Sequence, residues 1–350
     1  MSPNRTVLVT GIAGNLGARL LPLLSQFRVV GVDLRPPQSS LPLHFQEMDL
    51  GREASCRQLI DLLRATGADS VVHLAFVLDP QRTGILDVER MWQINVAGTA
   101  RVMEAISVVN RTGGDIRRFI FPSSVSAYGP ETQGAVREDA PLRAHTLTYA
   151  IHKRECDEVV RYRAESLGDC RCYVLRPHIF TGASMQNYMV GVLRGTPLGT
   201  SKRAARMRAE GRRLPLMLPR GANYLEKRVQ FVHVDDVARL LLVLLDRPAT
   251  DPPLSIMNVA GRGEALTLQR CAEIAHATIK RVPSRAIIRA VLRLLWALRI
   301  SAIPPDALPY LIGSYTMDTT RLQQFLGADY SRVIQYTVED ALRDSFNGNA

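Results

Sequence analysis

Several features that would assign this chain to a special class are absent or scarce. No uncharged apolar run reaches the roughly 18 residues that a membrane-spanning helix needs, and the N-terminus leads directly into a strand-like stretch. We therefore expect neither a transmembrane helix nor a signal peptide. The five cysteines, at positions 56, 156, 170, 172 and 271, are an odd and scattered set without a zinc-ligand pattern. We expect a reducing, cytoplasmic location and no metal site.

Lysine is scarce as well, since Lys153, Lys202, Lys227 and Lys280 are the only four. Arginine provides the remaining positive charge, and the formal net charge is +11. A basic chain can attract nucleotides, nucleic acid or an anionic membrane. The basic run 202–213 has no interleaved aromatic residues, so we expect no nucleic-acid binding and interpret the run as solvated surface. An apolar content of 46% and a charged content of 22% indicate a globular protein with a sizeable core.

Apolar strand patterns alternate with helical patterns along the first half of the chain. The strand patterns lie at 6–10, 28–33, 70–76, 117–124 and 171–177, and the helical patterns at about 15–27, 54–66, 88–110 and 147–167. This alternation predicts an α/β fold with a Rossmann-type, doubly wound parallel sheet. Residues 228–246 then predict a strand, an acidic N-cap and a helix.

The remaining segments predict a second, smaller region. Residues 181–227 are rich in Gly, Arg and Pro and resemble an irregular insertion, and from about 263 the pattern is mainly helical. We therefore expect a Rossmann domain formed by residues 1–177 plus 228–262, to which Gly11, Gly14, Gly17 and Asp33 assign NAD binding. A substrate-binding region, mainly helical at its C-terminal end, is expected from residues 178–227 plus 263–350.

A glycine-rich turn follows the first strand. Gly11, Gly14 and Gly17 give the tight turn, the close approach to a pyrophosphate and the close helix–strand packing of a dinucleotide site. Asp33, sixteen residues after Gly17, ends the second strand, where a carboxylate accepts both adenosine ribose hydroxyls and repels a 2′-phosphate. The pattern predicts NAD as the cofactor, with Arg35 as the residue that could soften discrimination against NADP.

The ordered motifs resemble the extended short-chain dehydrogenase/reductases of the NAD-dependent epimerase/dehydratase family, in a UDP-glucose 4-epimerase-like form. The resemblance covers about residues 5–262. The motifs are 10-TGIAGNLG-17, Asp33, 49-DL-50, 73-HLAF-76, 95-NVAGT-99, 123-SSVSAYG-129, 149-YAIHK-153, 175-LRP-177 and 231-FVHVDDVA-238. The resemblance implies an NAD-dependent enzyme that acts on a small molecule, and we expect a homodimer.

Each matching position receives a role from this resemblance. The implied catalytic residues are Ser124, Tyr149 and Lys153. The implied cofactor-binding residues are Gly11, Gly14, Asn15, Leu16, Gly17, Asp33, Asp49, Leu50, Leu74, Ala75, Phe76, Asn95, Tyr149, Lys153, Pro177 and His178. Among them, Asp49 and Leu50 are expected at the adenine, and Leu74, Ala75 and Phe76 at a strand end under the cofactor. Asn95 is expected behind the nicotinamide, with Pro177 and His178 near it.

The pairing of Tyr149 with Lys153 in the stretch YAIHK has a chemical explanation. Hydride transfer from an alcohol needs a group that takes the proton, and a free tyrosine, with a pKa of about 10, is a poor base at neutral pH. The Lys153 ammonium, one helical turn away, and a cationic nicotinamide lower that pKa. Ser124 would donate to the substrate oxygen and orient it. A general base matched to the working pH is worth about 10²–10⁴-fold.

Four other residues near these motifs are interpreted without a catalytic role. We expect His73 to be a hydrogen-bonded core histidine and His152 to be exposed. Asp235 is interpreted as a cap or loop anchor. Tyr128 either lines the pocket or packs in the core.

The substrate is less well specified. Family members act on sugar nucleotides, steroids, flavonols and other hydroxyl or ketone compounds. Ile179 stands where sugar-nucleotide enzymes often carry an asparagine. Asn187, Arg220 and Arg228 are candidate diphosphate contacts. The stretch 125-VS-126 lacks the Asp-Glu pair of a dehydratase.

The segment 286–300 is a basic amphipathic helix with Arg289, Arg293 and Arg299 among apolar residues. Such a helix lies on a membrane surface, covers an apolar pocket or packs in the core. The leading hypothesis is an NAD-dependent epimerase or dehydrogenase, with a nucleotide sugar as one candidate substrate. The alternatives are a hydroxysteroid-like dehydrogenase for an apolar alcohol and, from another class, a non-catalytic NAD-binding sensor.

Overall fold

The computed structural model describes residues 5–78, 84, 86–221, 223–248 and 250–347. The strands in this part of the chain are β1 (Thr6–Thr10), β2 (Arg28–Asp33), β3 (His44–Glu47), β4 (Ser70–His73), β5 (Arg118–Pro122), β6 (Ala135–Val136), β7 (Arg171–Pro177), β8 (Ile179–Thr181), β9 (Leu216–Pro219), β10 (Arg228–Val229), β11 (Phe231–His233), β12 (Leu254–Val259), β13 (Leu266–Thr267), β14 (Ile279–Val282) and β15 (Thr316–Met317). The α-helices are α1 (Asn15–Leu20), α2 (Ala54–Thr66), α3 (Val88–Trp92), α4 (Gly98–Arg111), α5 (Thr148–Ala164), α6 (Tyr188–Arg194), α7 (Lys202–Ala209), α8 (Val234–Leu245), α9 (Leu268–Ile274), α10 (Arg285–Ala297), α11 (Leu308–Ile312), α12 (Thr320–Leu326), α13 (Tyr330–Val333) and α14 (Val338–Asp344).

Seven strands form one parallel sheet in the order β12-β7-β5-β4-β1-β2-β3. Strand β1 is buried along its whole length because its run TVLVT is covered on both faces. The chain passes from β1 to β2 on one side and later to β4 on the other, so the strand order reverses at β1. Doubly wound sheets bind ligands at this reversal, outside the carboxyl ends of the strands. The predicted Rossmann-type fold is confirmed.

Helices cover both faces of the sheet. Leu59 of α2, Ile106 of α4 and Val160 of α5 pack in the core on one face. Leu20 of α1 and Leu241 of α8 pack on the opposite face. A third core joins α6, α9, α10 and α11 in the C-terminal region. Each fully buried Leu or Ile contributes roughly 1.5–3 kcal/mol relative to an exposed one, so these clusters hold the crevice in place.

Several sequence-based boundaries were wrong. The predicted helix at 88–110 contains a π-helical turn, Gln93–Ala97. The predicted irregular insertion at 181–227 includes α6, α7 and β9. Strands β3 and β12 were not predicted. Strand β3 is an exposed edge of mixed polarity, and such a strand carries no continuous apolar run.

Two smaller corrections concern the ends of elements. Strand β4 ends at His73, so residues 74–76 leave the sheet at the crevice. The N-cap of α8 is His233 and not an acid, because its ring nitrogen accepts a hydrogen bond from the Asp235 backbone N–H at 3.2 Å. Across the described residues, no helix is both long and apolar enough to cross a bilayer.

Candidate active site

A cavity of about 500 Å³ lies at the carboxyl ends of the central strands. Its volume is in the range of small-molecule sites. The wall includes the turn after β1, the ends of β4 and β5, the start of α5, the segment 177–189 and the segment 307–315. The predicted site residues on the wall are Gly11, Gly14, Asn15, Leu16, Gly17, Leu74, Phe76, Ser124, Tyr149, Lys153, Pro177 and His178. The predicted residues outside the wall are Asp33, Asp49, Leu50, Ala75 and Asn95.

The turn after β1 requires glycine for steric reasons. Gly11 has φ of +71°, and a Cβ there would lie 2.4 Å from the Ala75 nitrogen. A Cβ on Gly17 would lie 2.4 Å from the Ile12 carbonyl oxygen. Both distances are far below van der Waals contact. Gly11 therefore allows the turn to pack against the segment that follows β4, and Gly17 allows the start of α1 to pack against Ile12.

Asp33 closes this turn from the end of β2. Its carboxylate accepts hydrogen bonds from the Ala13 N–H at 2.9 Å and the Leu34 N–H at 2.7 Å. The carboxylate is therefore held beside the glycine turn although it is not on the cavity wall. An anionic group at this position can accept ribose hydroxyls and repel a phosphate.

Asp49 and Asn95 contact the protein rather than the cavity. Asp49 forms an ion pair with Arg90 and accepts the Gly51 N–H at 2.9 Å. The Asn95 side chain accepts the Val77 N–H at 2.7 Å and donates to the Val77 carbonyl at 3.1 Å. Asn95 therefore fixes the segment that follows β4, whose earlier residues reach the cavity.

The expectation that His152 is exposed was wrong. Its side chain is buried where α5 packs beside the π-helical turn, and its Nδ1 lies 3.2 Å from the Asn95 amide nitrogen. Burial lowers the pKa of His152 because the charged form loses hydration. His152 thus belongs to the packing between α5 and residues 93–97.

Ser124, Tyr149 and Lys153 meet on the cavity wall. The Ser124 hydroxyl oxygen accepts hydrogen bonds from the Ser126 N–H at 3.1 Å and the Ser126 hydroxyl at 2.9 Å. The Lys153 ammonium donates to the Pro122 carbonyl at 2.7 Å. It also lies 6.0 Å from the centre of the Tyr149 ring. The end of β5 and the first turns of α5 thus hold these three side chains together.

Burial shifts the pKa values of Tyr149 and Lys153 in the directions that favour the neutral form of each side chain. It raises the pKa of Tyr149 to about 12, and the hydrogen bond with Ser124 opposes that rise. It lowers the pKa of Lys153 to about 8. The pKa of Tyr149 is thus raised by its protein surroundings, and a further positive charge is needed to lower it.

Ser123 provides a test of whether this cavity fits a bound cofactor. Ser123 is a cavity-wall residue that is 2% exposed, and its buried hydroxyl has no hydrogen-bond partner in the described part of the chain. A buried hydroxyl without a partner marks a position where a ligand group or water binds. Together with the glycine turn and the Asp33 carboxylate, Ser123 fits a dinucleotide that runs along the ends of β1 and β5.

The remainder of the wall is mainly apolar and was not predicted residue by residue. It includes Val125, Leu147, Ile179, Phe180, Met185, Met189, Ala307, Tyr310, Leu311 and Tyr315. Among the described wall residues, Lys153 is the only Asp, Glu, Lys or Arg. Burial lowers the pKa of His178 to about 4, so this histidine is neutral at physiological pH. These residues come from segments that are far apart in the sequence, and no local pattern marks them as neighbours in one cavity.

The candidate diphosphate contacts are occupied or distant from the cavity. Asn187 is on the wall, but its amide oxygen caps α6 at Val190 (3.0 Å) and its amide nitrogen donates to Phe180 (2.6 Å). Arg220 and Arg228 are not on the wall. No described arginine therefore reaches the cavity.

Two further sequence expectations have clear outcomes. His73 is a hydrogen-bonded core histidine as expected, because its ring nitrogens lie 2.6 Å from the Thr10 hydroxyl and 2.9 Å from the Thr99 hydroxyl. Tyr128 is buried away from the cavity wall and donates to Asn258 at 2.8 Å. Tyr128 is thus a core residue.

Comparison with known sequences gives one family match over most of the chain. The family model described as "NAD dependent epimerase/dehydratase family" matches residues 7–260. An uncharacterized epimerase/dehydratase of Staphylococcus aureus (strain USA300) is 22% identical over 170 residues, which are 47% of this chain and 50% of that protein. The chain thus spans about half the length of the curated relatives it matches.

Comparison with solved structures gives matches over nearly the whole chain. A UDP-glucose 4-epimerase of Thermus thermophilus in complex with NAD has a TM-score of 0.66 at 20% identity and covers 99% of this chain and 100% of that one. A UDP-glucuronic acid 4-epimerase of Bacillus cereus, in complex with UDP-glucuronic acid and NAD, has a TM-score of 0.64 at 20% identity and covers 98% of both. At these identities the likeness concerns the fold.

Proposed function

Because the chain belongs to the NAD dependent epimerase/dehydratase family, we propose that it catalyses NAD-dependent hydride transfer at a secondary alcohol or ketone carbon, with Tyr149 as the acid/base. The observation that carries this proposal is the meeting of Ser124, Tyr149 and Lys153 on one cavity wall with the glycine turn. This meeting also argues against a non-catalytic NAD-binding sensor, because a sensor needs no proton-transfer group.

Ser124 is assigned to orient the substrate oxygen. Its oxygen already accepts two hydrogen bonds from Ser126, so its own hydrogen is available for donation to Tyr149 or to the substrate. Tyr149 would take the proton of the alcohol during oxidation and return it during reduction. Bound NAD supplies the hydride acceptor and a positive charge in the cavity.

Lys153 is assigned to hold charge near the phenol and to fix the end of β5. Its ammonium lies between the Pro122 carbonyl, at 2.7 Å, and the Phe76 ring, whose centre is 3.8 Å away. A cation at this position favours the Tyr149 phenolate. The glycine turn, Ser123 and Asp33 would hold the dinucleotide.

The cavity favours an apolar alcohol or ketone as substrate. A diphosphate is bound in proteins by Arg, Lys or clustered backbone N–H groups. The only cation among the described wall residues is Lys153, which already contacts Pro122. The wall segments 178–189 and 307–315 instead present mainly Phe, Met, Leu and Tyr side chains, consistent with a substrate region made from residues 178–227 plus 263–350.

A nucleotide sugar is the second candidate. It is favoured by the solved structures of similar fold, one of which contains UDP-glucuronic acid and NAD. This support is an analogy of fold and family, and one fold hosts many substrates. In the epimerase case the substrate would be oxidised and reduced again at the same carbon, with no net change in NADH.

A substrate panel tests the proposed function directly. The purified full-length protein would first be analysed by mass spectrometry for bound nucleotide, and NAD is expected. It would then be offered sterols, long-chain secondary alcohols, UDP-glucose and UDP-glucuronic acid. Net NADH absorbance with an apolar alcohol is the expected result. Conversion of a UDP-sugar to its 4-epimer without net NADH would favour the second candidate, and retained NAD without turnover of any compound would favour the sensor.

Asp33 is expected to set the cofactor preference. A carboxylate beside a 2′-phosphate is a like-charge contact that costs several kcal/mol, so we expect a preference for NAD over NADP of ~10²-fold or more. Asp33→Asn would reduce that preference by at least ~10-fold, because the amide keeps the shape but loses the charge. Titration of both cofactors by fluorescence measures the ratio.

The matched control for Asp33 is Glu47→Gln on the neighbouring strand. Glu47 pairs in register with Asp33 and is exposed, so the same charge change occurs one strand away. Glu47→Gln is expected to leave the NAD preference unchanged. NADP bound to the native protein as purified would contradict the assignment of Asp33.

A further inference from the structure

Helix α10 has an outer surface that the proposed chemistry does not use. Ile288 and Leu292 are its buried side chains. Ile287, Leu294 and Leu298 point away from them and are 41%, 60% and 46% exposed. Their spacing puts them on one side of the helix. A continuous exposed apolar stripe on an outer helix indicates a binding surface.

Arginines occupy a second exposed side of α10. Arg289 and Arg293 lie on this side, which a row of alanines separates from the apolar stripe. Arg299 follows the end of the helix, and all three arginines are exposed. Within the part of the chain that the structure describes, no carboxylate lies within 4.0 Å of these three side chains. Apolar residues on one side of a helix and unpaired cations on another are typical of helices that lie in the plane of a membrane interface.

The net charge of the protein is concentrated around this helix. Residues 202–213 and 280–299 together hold twelve Lys or Arg residues and one acid, Glu210, so their formal charge is +11. The whole chain, with 44 Lys and Arg against 33 Asp and Glu, also has a formal charge of +11. The remainder of the chain is therefore neutral.

The fold brings the two charged segments together. The Ser201 N–H donates to the Arg299 carbonyl at 3.0 Å, and Ser201 is the N-cap of α7. Strand β9, which follows α7, pairs in parallel with β14, which precedes α10. Residues 202–213 and 280–299 thus lie side by side, and we call them together the basic face.

We infer that the basic face binds the surface of an anionic phospholipid bilayer, with Ile287, Leu294 and Leu298 among the acyl chains and the arginines at the headgroups. Charge complementarity selects this occupant. A second copy of the chain docked by the same face would oppose two surfaces of high positive charge. A nucleic acid would contact the cations but leave the apolar stripe uncovered.

The buried side of α10 connects this surface to the cavity. Ile288 and Leu292 pack in the same core as Ala307 and Leu311, which are cavity-wall residues. Under the proposed function, an apolar substrate dissolved in the bilayer would be near the wall that accepts it. Bilayer binding itself does not depend on Tyr149, so vesicle binding and turnover can fail separately.

Vesicle co-sedimentation of the full-length protein tests the inference. We expect binding to vesicles of phosphatidylcholine with phosphatidylglycerol and much weaker binding to phosphatidylcholine alone. Since each Arg near an anionic surface contributes a factor of about five, Arg289→Glu/Arg293→Glu should weaken binding by more than about 25-fold. Leu294→Asp should also weaken it, and raised salt should weaken binding of the native protein.

Two control variants separate the effect of the basic face on vesicle binding from the effects of net charge and of protein stability. Arg28→Glu/Arg161→Glu makes the same charge change at exposed positions outside the basic face and should bind vesicles nearly as the native protein does. Arg299 has φ of +50°, a conformation that favours glycine. Arg299→Gly should therefore keep or raise the melting temperature while weakening vesicle binding about fivefold.

Three results would overturn the inference. One is equal binding to neutral and anionic vesicles. Another is native-like vesicle binding by Arg289→Glu/Arg293→Glu. The third is a native dimer, seen by light scattering, that Leu294→Asp converts to a monomer while the native protein fails to bind vesicles, which would make the apolar stripe an interface between two copies.

Discussion

Replacing Tyr149 with phenylalanine is expected to lower NAD-linked turnover by about 10²–10⁴-fold, the usual contribution of a general acid/base. Phenylalanine keeps the ring, so the edge contact with Phe76, whose ring centre is 5.6 Å away, remains. Cofactor binding should be nearly unchanged, because the glycine turn, Ser123 and Asp33 are untouched. The loss should therefore fall on kcat and not on NAD affinity.

The pH profile gives a second readout for Tyr149. Burial raises the pKa of Tyr149 to about 12, and the hydrogen bond with Ser124 opposes that rise. The positive charge of bound NAD would lower the pKa further. Oxidation of an alcohol needs the deprotonated phenol, so the native rate should increase with pH up to the apparent pKa of the holoenzyme. A phenylalanine ring has no proton to lose, so the residual rate of Tyr149→Phe should lose this dependence.

Tyr162→Phe is the matched control. Tyr162 lies on the same helix, α5, and is 88% exposed. Its hydroxyl is remote from the cavity wall, so the substitution should change neither turnover nor NAD affinity. Unchanged turnover in Tyr149→Phe would remove Tyr149 from the mechanism.

Removing the carboxylate of Asp157 is expected to lower the free energy of unfolding by ~3–5 kcal/mol, the cost of leaving a buried charge without its partner. Arg176 and Asp157 form a bidentate pair, with nitrogen–oxygen distances of 2.9 and 2.8 Å, and both side chains are fully buried. Arg176 also donates to the Tyr128 hydroxyl at 2.7 Å and the Glu138 carbonyl at 2.8 Å. The pair joins β7 to α5, the helix that carries Tyr149 and Lys153.

Chemical denaturation of Asp157→Ala measures this loss. Asp61→Ala is the control, since Asp61 forms an exposed pair with Arg57 at 3.2 Å on α2 and should change stability by ~0.5 kcal/mol or less. The double variant Asp157→Leu/Arg176→Met should recover much of the stability, because it removes both charges and retains apolar volume. A loss below ~1 kcal/mol in Asp157→Ala would contradict the expected cost.

Much of the first half of the chain was readable from the sequence because its signals are local. Strand β1, the glycine turn, α1 and β2 follow each other within 33 residues, and each is marked by its own periodicity or by residues that only a tight turn accepts. Tyr149 and Lys153 share a helix face by spacing alone. The family resemblance connects these local signals with Ser124.

Edge strands and irregular segments were harder to predict because contacts with other segments, and not local sequence patterns, determine them. Strand β3 is held by pairing with β2 and not by an apolar run of its own. The π-helical turn at Gln93–Ala97 gives no distinct spacing in the sequence. His152 is buried because it packs beside that turn, and its hydrogen bond with Asn95 offsets the free-energy cost of burying a polar ring.

The sequence by itself determined the fold class, the glycine turn beside Asp33 and the helical spacing of Tyr149 and Lys153, because periodicity and short-range sterics set each of these. Only the tertiary structure decided three other features. It joined 178–189 and 307–315 into a mainly apolar part of the cavity wall, left the Ser123 hydroxyl without a partner, and put residues 202–213 beside 280–299. These features arise from contacts between segments separated by many residues, and no local pattern in the chain specifies which distant segments will meet.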